Sequence, residues 1–418
     1  MQRFAIIGFG YAGFSALKAI RDAGCDAEID VYSETELPPY NPMLTTYYIA
    51  GKLDYEAMFP FGSLEDIALA YSTKIFSRAR VCRVGEAKSV TIETGANRSY
   101  DKILIATGAG AFVPHPLRHL LPEVHCMRTV NDAVRLKNVL RTKKPGNAVV
   151  IGASMVGIKV AELLNDAGID VTLADMCKSI FPLAAYPDVA EMIEKRVQER
   201  GIKLKLGCAV ENAEKVSEGY IVSFSNGEYL HTDELVLNIG ASAATEALDP
   251  AITVNRGIVV NERMETSIPG IYAAGDCCEG NNLQSNSTQI IGLWANAGAQ
   301  GRVAGWNMAG KYAEMDGSIL CNITHFMDLD FIGIGDNREG GETRRYVDPE
   351  KRFFIEALRR DGKLVGFNIL NHRDISGVCK AYFTARLRKK GPLPPIQKAA
   401  LEAAGLKGSF IRWLEEEE

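Results

Sequence analysis

The residues best suited to chemistry lie near the start of the chain, in a glycine-rich turn that follows the apolar segment 4–7. Gly8, Gly10 and Gly13 have Gly-x-Gly-x-x-Gly spacing. The first glycine permits a tight turn, the second lets the backbone approach a pyrophosphate, and the third lets helix and strand pack closely. Glu34 follows about 20 residues later and can accept hydrogen bonds from a ribose. The pattern predicts a dinucleotide-binding site; an ordinary glycine turn is the alternative.

A second glycine-rich turn repeats this pattern at Gly152, Ser154 and Gly157, with Asp175 as the acid. Serine replaces the middle glycine and is small enough for a phosphate to approach. A carboxylate at Asp175 accepts a hydrogen bond from a ribose 2′-hydroxyl and repels a 2′-phosphate, which favours NADH over NADPH. Lys178 lies close by in the sequence and weakens that preference. Two such units predict that the chain binds two dinucleotides.

Each turn must lie between a buried strand and a helix, and the sequence provides both. A third buried strand, 103–105, leads into Ala106-Thr107-Gly108 and is expected to return to the first sheet. Short alternating strands are expected within 75–105, and 114–145 is interpreted as a crossing between domains. Hydrophobic patterning predicts strands at 4–7, 27–32, 148–151, 169–173 and 235–237, helices at 14–20, 131–141, 158–167, 190–200 and 293–309, and a hairpin turn at Asn226-Gly227.

From Gly317 onward the pattern changes to strand-like segments at 326–334, 353–358 and 364–370, followed by a helix at 375–390. A small α+β domain is therefore expected. One helical stretch is predicted within 398–418, and it ends in a run of glutamates that is typical of a solvated terminus.

Length and composition limit the class of protein. A chain of 418 residues with 47% hydrophobic residues, 24% charged residues and a net charge of −5 is typical of a globular protein of two or three domains. The chain has no excess of basic residues, so neither nucleic acid nor an anionic membrane is expected as a partner. The first strand begins close to Met1, which leaves no room for a signal peptide, and no apolar run is long enough to span a membrane. These features predict a cytoplasmic protein.

The cysteines give no sign of metal binding. The nine cysteines and six histidines are dispersed along the chain, and no two cysteines have Cys-x-x-Cys spacing, so no metal site is predicted. Dispersed thiols are typical of proteins in a reducing compartment. Cys277 and Cys278 are adjacent, a geometry that strains a disulfide, and small buried packing residues are the favoured interpretation. The segment 38–51 contains neither cysteine nor lysine.

These patterns together resemble the FAD/NAD(P)H-dependent oxidoreductases of the pyridine nucleotide–disulfide reductase superfamily, and most of all the branch of rubredoxin, ferredoxin and nitrite reductases. The resemblance covers about residues 1–310. It implies FAD on the first turn, NAD(P)H on the second, and a C-terminal interface domain. The matching residues are Gly8, Gly10, Gly13, Glu34, Ala106-Thr107-Gly108, Gly152, Gly157, Asp175 and Thr266 through Gly275-Asp276, with segments 39–45 and 297–302.

The expected fold class is α/β, with two Rossmann-like three-layer (ββα) dinucleotide-binding domains and a C-terminal α+β interface domain. The FAD-binding domain is expected to be discontinuous (1–115 and 239–315). The NAD(H)-binding domain is expected at 116–238, and an interface or dimerisation domain with a helical tail at 316–418.

The resemblance also implies site residues. Asp276 is expected to bind the flavin ribityl chain and Trp294 to lie beside the isoalloxazine. The full expected cofactor-binding set is Gly8, Gly10, Tyr11, Ala12, Gly13, Ser33, Glu34, Pro42, Thr45, Val81, Ala106, Thr107, Gly108, Gly152, Ser154, Met155, Val156, Gly157, Asp175, Gly240, Gly275, Asp276 and Trp294.

Two departures from the family pattern bear on catalysis. Redox-active members carry a cysteine within 41–46, and this chain has none there, so a thiol–disulfide route is not expected. The ferredoxin-reductase pattern has a lysine where Thr46 stands and a glutamate where Lys159 stands. We infer that Lys159 supplies the positive charge that stabilises reduced flavin; a lysine that simply points to solvent is the alternative. Lys159, Thr46 and Trp294 are therefore the candidate catalytic residues.

The expected function is an NADH-dependent FAD oxidoreductase that passes electrons to a separate protein, either a rubredoxin- or ferredoxin-like acceptor or a partner subunit. Another enzyme class is an NADH oxidase, peroxidase or CoA-disulfide reductase, and the missing cysteine counts against the last two. A third class is a flavoprotein scaffold or the electron-entry subunit of a larger complex. The sequence leaves the acceptor and the oligomeric state, homo-oligomer or heteromeric complex, open.

Overall fold

The computed structural model describes residues 1–336, 340–348, 353–388 and 394–416. The chain forms two compact units, Met1–Gly110 with Ala241–Ser318, and Ala111–Gly240 with Ile319–Glu418. The predicted helix end at Lys390 and the last two glutamates of the acidic run lie outside the described residues.

The strands, in chain order, are β1 Arg3–Ile7, β2 Glu28–Tyr32, β3 Lys74–Phe76, β4 Val81–Gly85, β5 Ser89–Ile92, β6 Asn97–Ser99, β7 Lys102–Ile105, β8 Ala109–Ala111, β9 Asn147–Ile151, β10 Asp170–Asp175, β11 Lys203–Leu206, β12 Val210–Lys215, β13 Tyr220–Phe224, β14 Tyr229–Thr232, β15 Glu234–Leu237, β16 Ala241–Ala243, β17 Ile258–Val259, β18 Ile271–Ala273, β19 Cys278–Asn282, β20 Ser287–Gln289, β21 Cys321–Phe326, β22 Leu329–Gly335, β23 Glu342–Asp348, β24 Phe353–Arg360 and β25 Lys363–Leu370. The α-helices are α1 Tyr11–Asp22, α2 Thr45–Ile49, α3 Leu64–Ala70, α4 Val130–Thr142, α5 Met155–Asp166, α6 Pro187–Glu199, α7 Trp294–Met308, α8 Ser376–Leu387, α9 Pro395–Ala403 and α10 Gly408–Glu415.

The first unit contains a parallel five-stranded sheet in the order β18-β7-β1-β2-β3. Its inner strands are largely buried, as expected for a parallel sheet that is covered on both faces, whereas the edge strand β3 is partly exposed. A three-stranded antiparallel sheet, β4-β5-β6, adds a second β layer, and helices supply the third. The predicted return of β7 to the first sheet is confirmed, because Ile7 pairs with Ile105.

Helices α1 and α7 of this unit pack very closely. A Cβ at Gly298 would lie 2.3 Å from the Tyr11 ring, one at Gly301 would lie 2.2 Å from the Ala12 oxygen, and one at Gly305 would lie 2.5 Å from the Ala16 oxygen. Only residues without a side chain allow this approach. The glycines of α7 therefore fix the position of the helix that follows the first turn.

The second unit repeats the ββα arrangement, with a parallel sheet β11-β10-β9-β15 and an antiparallel sheet β12-β13-β14. The same unit contains an antiparallel five-stranded sheet, β21-β22-β25-β24-β23, followed by helices α8 to α10. The Tyr382 hydroxyl donates to the Leu414 oxygen at 2.7 Å and joins α10 to α8. The predicted α/β class, with two dinucleotide-binding folds and an α+β segment, is confirmed.

The C-terminal region differs from the predictions at three points. The segment 326–334 is not one strand, because β21 ends at Phe326 and the chain turns through Met327, whose φ is +55°. The largely exposed strand β23 was missed, since its polar sequence resembles a loop. The single helical stretch predicted within 398–418 is two helices, which break at Gly405 with φ of +97°.

Candidate functional site

The first glycine turn has the geometry of a phosphate cradle. A Cβ at Gly8, where φ is +91°, would lie 2.2 Å from the Ala106 oxygen, and one at Gly13 would lie 2.3 Å from the Gly8 oxygen. A Cβ at Gly10 would meet nothing within 4 Å, so the middle glycine faces open space. Helix α1 begins at Tyr11 directly after it, and the first N–H groups of a helix attract an anion. These residues fit a dinucleotide pyrophosphate.

The predicted ribose-binding acid lies at the same edge of the sheet. The Gly8 amide donates to the Tyr32 oxygen at 2.8 Å, which places Ser33 and Glu34 next to the turn. Ser33 is buried, whereas the Glu34 carboxylate is exposed and lies 3.7 Å from the Arg80 guanidinium. Val81 begins β4 just beyond it. The geometry leaves the Glu34 carboxylate accessible to a ribose.

Two further predicted segments reach this edge. The Thr107 hydroxyl of Ala106-Thr107-Gly108 donates to the Ala244 oxygen at 2.7 Å. The Gly275 amide donates at 2.8 Å to the side-chain oxygen of Gln300, a buried residue of α7. This bond fixes the loop that presents Asp276. Sequence reasoning missed Gln300, although it lies within a motif that the family resemblance used.

Trp294 is part of an aromatic stack. Its ring lies 3.7 Å from the Tyr11 ring at an interplanar angle of 6°, and Tyr11 in turn stacks on Phe61 at 5.6 Å. The Trp294 indole nitrogen is buried and has no hydrogen-bond partner among the described residues. A buried donor of this kind suits an acceptor on a bound cofactor. The stack brings Tyr11 and Trp294 together, and Phe61 was missed.

The segment without cysteine or lysine forms a short turn and helix. A 3-10 turn at Pro42–Leu44 is capped by the Asn41 side chain and leads into α2. The Thr45 hydroxyl donates to the Pro42 oxygen at 2.7 Å, and the Thr46 hydroxyl lies 3.5 Å from the Met43 oxygen. Both hydroxyls thus donate to backbone carbonyl groups of the preceding turn.

The second glycine turn reproduces the first. A Cβ at Gly152, where φ is +105°, would lie 2.3 Å from the Asn238 oxygen, and one at Gly157 would lie 1.7 Å from the Gly152 oxygen. Ser154 is exposed at the N-cap of α5, and its hydroxyl caps no helix amide. Met155 and Val156 form the first turn of that helix. The substitution of glycine by serine therefore keeps the cradle open.

The Asp175 carboxylate is held at this turn by two backbone amides. Its Oδ2 accepts from the Ala153 amide at 2.7 Å, and its Oδ1 accepts from the Cys177 amide at 2.8 Å. The Cys177 thiol also hydrogen-bonds to this carboxylate, whose roughly four acceptor positions leave room for a further donor. The carboxylate of the predicted acid is thus held in place at the turn by the backbone.

Residues after β15 complete the edge of the second sheet. Asn238 was missed in the sequence; its side-chain oxygen accepts from the Met127 amide at 3.3 Å. Its amide nitrogen is buried without a partner in the described part of the chain, which leaves two N–H donors for a ligand. Gly240, with φ of +135°, ends this segment.

Lys159 lies on α5 in the second unit, whereas Thr46 and Trp294 belong to the first. Its ammonium group lies 2.6 Å from the Glu162 carboxylate, and its side chain is only 18% exposed. The alternative of a lysine that points to solvent is therefore wrong. Its predicted role beside the flavin stays a prediction.

The adjacent cysteines are free and buried, as the sequence predicted. Both thiols donate to backbone oxygens at 3.4 Å. The hydrogen bond with Cys277, together with burial, raises the pKa of the Cys278 thiol. Within the described ranges, no cluster of three His, Cys, Asp or Glu residues is arranged to hold a metal ion. No helix in that part of the chain has the length and apolar character needed to cross a membrane.

Comparison with known proteins agrees with this geometry. Residues 2–301 match the profile of the family described as pyridine nucleotide-disulphide oxidoreductase. The chain is 28% identical over 388 residues to the NADH-dependent phenylglyoxylate dehydrogenase subunit epsilon of Aromatoleum evansii, covering 90% of each chain. It is 26% identical over 384 residues to the rubredoxin-NAD(+) reductase of Pseudomonas putida, covering 86% of this chain and 97% of that one. Its fold matches the water-forming NADH oxidase of Lactobacillus brevis with a TM-score of 0.85 at 21% identity, over 99% of both chains.

The two cradles and the paired ββα folds define a dinucleotide-dependent oxidoreductase. The chain belongs to the pyridine nucleotide-disulphide oxidoreductase family. It is an enzyme whose cofactors, FAD and NAD(P)H, are those of that family.

Proposed function

We propose that this protein is an NADH-dependent FAD oxidoreductase that passes electrons to a separate redox protein. The observation that carries the proposal is the pair of open cradles at Gly10 and Ser154, each followed by a helix N-terminus and a carboxylate. The relatives add support, because one is a rubredoxin-NAD(+) reductase and another is a subunit of an NADH-dependent dehydrogenase.

The residues of this chain bind and orient the two cofactors. Gly10 and the start of α1 hold the pyrophosphate of FAD, and Glu34 accepts hydrogen bonds from its ribose. Ser154 and α5 do the same for NADH, with Asp175 on its ribose. When bound, FAD accepts a hydride from the nicotinamide and can release the electrons one at a time, which no side chain can do. Fixing the two cofactors is the contribution of the protein.

The acceptor is external because the chain offers no thiol relay in the usual place. The segment 38–51 has no cysteine, and Cys277 and Cys278 are buried and free. We propose a rubredoxin- or ferredoxin-like protein, or a partner subunit, as the acceptor. The proposal includes the three-domain division (1–115 with 239–315, 116–238 and 316–418), a docking or dimerisation role for the last domain, and a cytoplasmic location.

Lys159 is proposed to stabilise the reduced, anionic flavin, and Thr46 and Trp294 are proposed as further catalytic residues. Lys159 occupies the position of a family glutamate, two residues after Gly157. Replacing Lys159 by methionine should lower the flavin midpoint potential and slow its reduction by NADH. An unchanged potential and rate would refute this role.

The function is tested by anaerobic titration of the purified holoprotein with NADH, followed at the visible absorbance of the flavin. One equivalent of NADH should bleach the flavin, and a rubredoxin or ferredoxin should then restore the absorbance. A colourless protein that cannot be reconstituted with FAD would refute the proposal. Rapid steady-state NADH consumption with oxygen alone would instead identify an NADH oxidase, and bleaching without turnover on free acceptors would identify an electron-entry subunit.

A further inference from the structure

The loop after β10 binds directly to the second glycine turn. Phe181 lies in this loop, and its backbone amide donates to the Ala153 oxygen at 2.9 Å. The Ala153 amide donates in turn to Asp175 at 2.7 Å. A displacement of Phe181 would therefore move both the cradle and the acid that faces the ribose.

The side chain of Phe181 is held by the C-terminal sheet. Its ring is 1% exposed, stacks on Phe331 with centroids 5.0 Å apart at 22°, and meets the edge of Phe326 at 5.5 Å. These partners lie on the hairpin β21–β22. Aromatic contacts of this kind are specific in geometry, so the hairpin sets the position of the Phe181 ring.

The backbone of Phe181 is in a conformation that it would not adopt alone. Its φ is +47°, in the left-handed region, which is unfavourable for a residue with a Cβ. Such a conformation persists only when surrounding contacts hold it, and it concentrates at functional positions. Here the contacts are the aromatic packing on one side and the bond to Ala153 on the other.

Further contacts join the same sheet to elements around the cradle. The Glu162 carboxylate of α5 accepts from the Met327 amide, in the turn between β21 and β22, and from Lys159. The Asn368 side chain of β25 accepts from the Tyr186 amide at 2.7 Å and donates to the Ala184 oxygen at 2.9 Å, both in the loop that carries Phe181. The C-terminal sheet thus contacts the loop and the helix that flank the second cradle.

We propose that Phe181 is a positioning residue for the pyridine nucleotide, and that through it the C-terminal hairpin sets the affinity of the cradle at Gly152–Gly157. The proposal rests on the assignment of that cradle to NADH in the proposed function. It goes further because it gives the C-terminal sheet a role in coenzyme binding, in addition to any contact with a partner.

The test measures binding of NAD⁺ to the oxidised holoprotein by calorimetry, together with the steady-state KM for NADH. The variants are Phe181→Leu and Phe331→Leu, which loosen the stack from either side. Phe367→Leu is the matched control, because Phe367 is fully buried in the same sheet. It lies an odd number of residues from Leu370, the partner of Phe331, and so faces the other side of the sheet.

Both stack variants should bind NAD⁺ about threefold to tenfold more weakly, because the free energy of one aromatic pair corresponds to a change in affinity of that size. The KM for NADH should rise, and kcat should change less. The control should keep the wild-type affinity even where its melting temperature falls. If Phe181→Leu does not fold, Phe331→Leu decides alone. Lower melting temperatures with unchanged NAD⁺ affinity would overturn the positioning role. A wild-type protein that binds no NAD⁺ would overturn the coenzyme assignment itself, and this inference with it.

Discussion

Replacing Asp175 by asparagine should remove much of the proposed preference for NADH over NADPH. The carboxylate is fixed by the Ala153 and Cys177 amides at 2.7 and 2.8 Å and retains an acceptor position for a ribose hydroxyl. A hydrogen bond to a charged group contributes about 1.5–3 kcal/mol. Loss of the charge should therefore raise the KM for NADH by about tenfold or more.

The effect on NADPH has the opposite sign. Two unit charges about 5 Å apart at an effective dielectric constant of about 20 repel each other by roughly 3 kcal/mol. Because Asp175 is partly exposed, screening halves this to roughly 1.5 kcal/mol, or about tenfold in binding. The ratio of kcat/KM for NADH to that for NADPH should then fall by about a hundredfold in Asp175→Asn.

The assay compares both coenzymes in steady-state reduction of a dye by wild type, Asp175→Asn and a control, Asp170→Asn. Asp170 begins the same strand and pairs with Lys203 at 2.5 Å on the surface, so its substitution should leave the ratio unchanged. In Asp175→Asn, the side-chain NH2 group would also face one of these two backbone N–H groups. Two donors cannot bond to each other, so the loop would be disturbed. Such a disturbance weakens both coenzymes alike. An unchanged ratio with equally raised KM values would refute the charge argument.

Three further outcomes are expected. Gly10→Ala should keep the melting temperature of the apoprotein, because its Cβ meets no protein atom within 4 Å. The variant should still retain less FAD, because the added methyl group occupies the space that faces the pyrophosphate. Gly13→Ala should lower both the melting temperature and the FAD content, because its Cβ would lie 2.3 Å from a backbone oxygen. Gln300→Leu should lower the free energy of unfolding by about 1–3 kcal/mol in urea titrations, because the buried Gly275 amide loses its acceptor; an unchanged value would contradict this. Burial opposes ionisation of Glu234, but hydrogen bonds from a histidine and a lysine outweigh it and lower its pKa. The stabilisation of the folded protein by ionised Glu234 is therefore fully present above the ordinary pKa of 4.5 and is lost as the pH falls through the lowered pKa of the folded state. Glu234→Gln should flatten the acid limb of a profile of stability against pH.

The two cradles could be predicted because their physics is local. Gly8 and Gly152 both adopt positive φ, at +91° and +105°, and a helix begins three residues after each of them. The spacing of a few residues is visible in one sequence without knowledge of the tertiary structure. The order of strands and helices in both ββα folds followed from the same short patterns.

The missed residues act over longer distances. Gln300 lies 25 residues from the amide that it binds, and Phe61 meets Tyr11 only once the domain is folded. Phe181 has no motif at all, since its importance comes from a hairpin in another part of the chain. The turn at Met327 was also invisible, because it contains none of the glycine, proline or asparagine residues that usually mark a hairpin.

The packing of α7 on α1 affects the order in which this polypeptide can mature on the ribosome. The first unit needs β18 and α7, which are synthesised after all of Ala111–Gly240. Until then the small apolar face of α1 around Ala12 and Ala16 has no cover, and nascent chains with exposed apolar surface aggregate readily. A fragment that ends at Gly110 should be insoluble when expressed alone, and a soluble, folded one would contradict this. The division of the first unit along the chain therefore leaves α1 uncovered until the second segment of that unit has been synthesised.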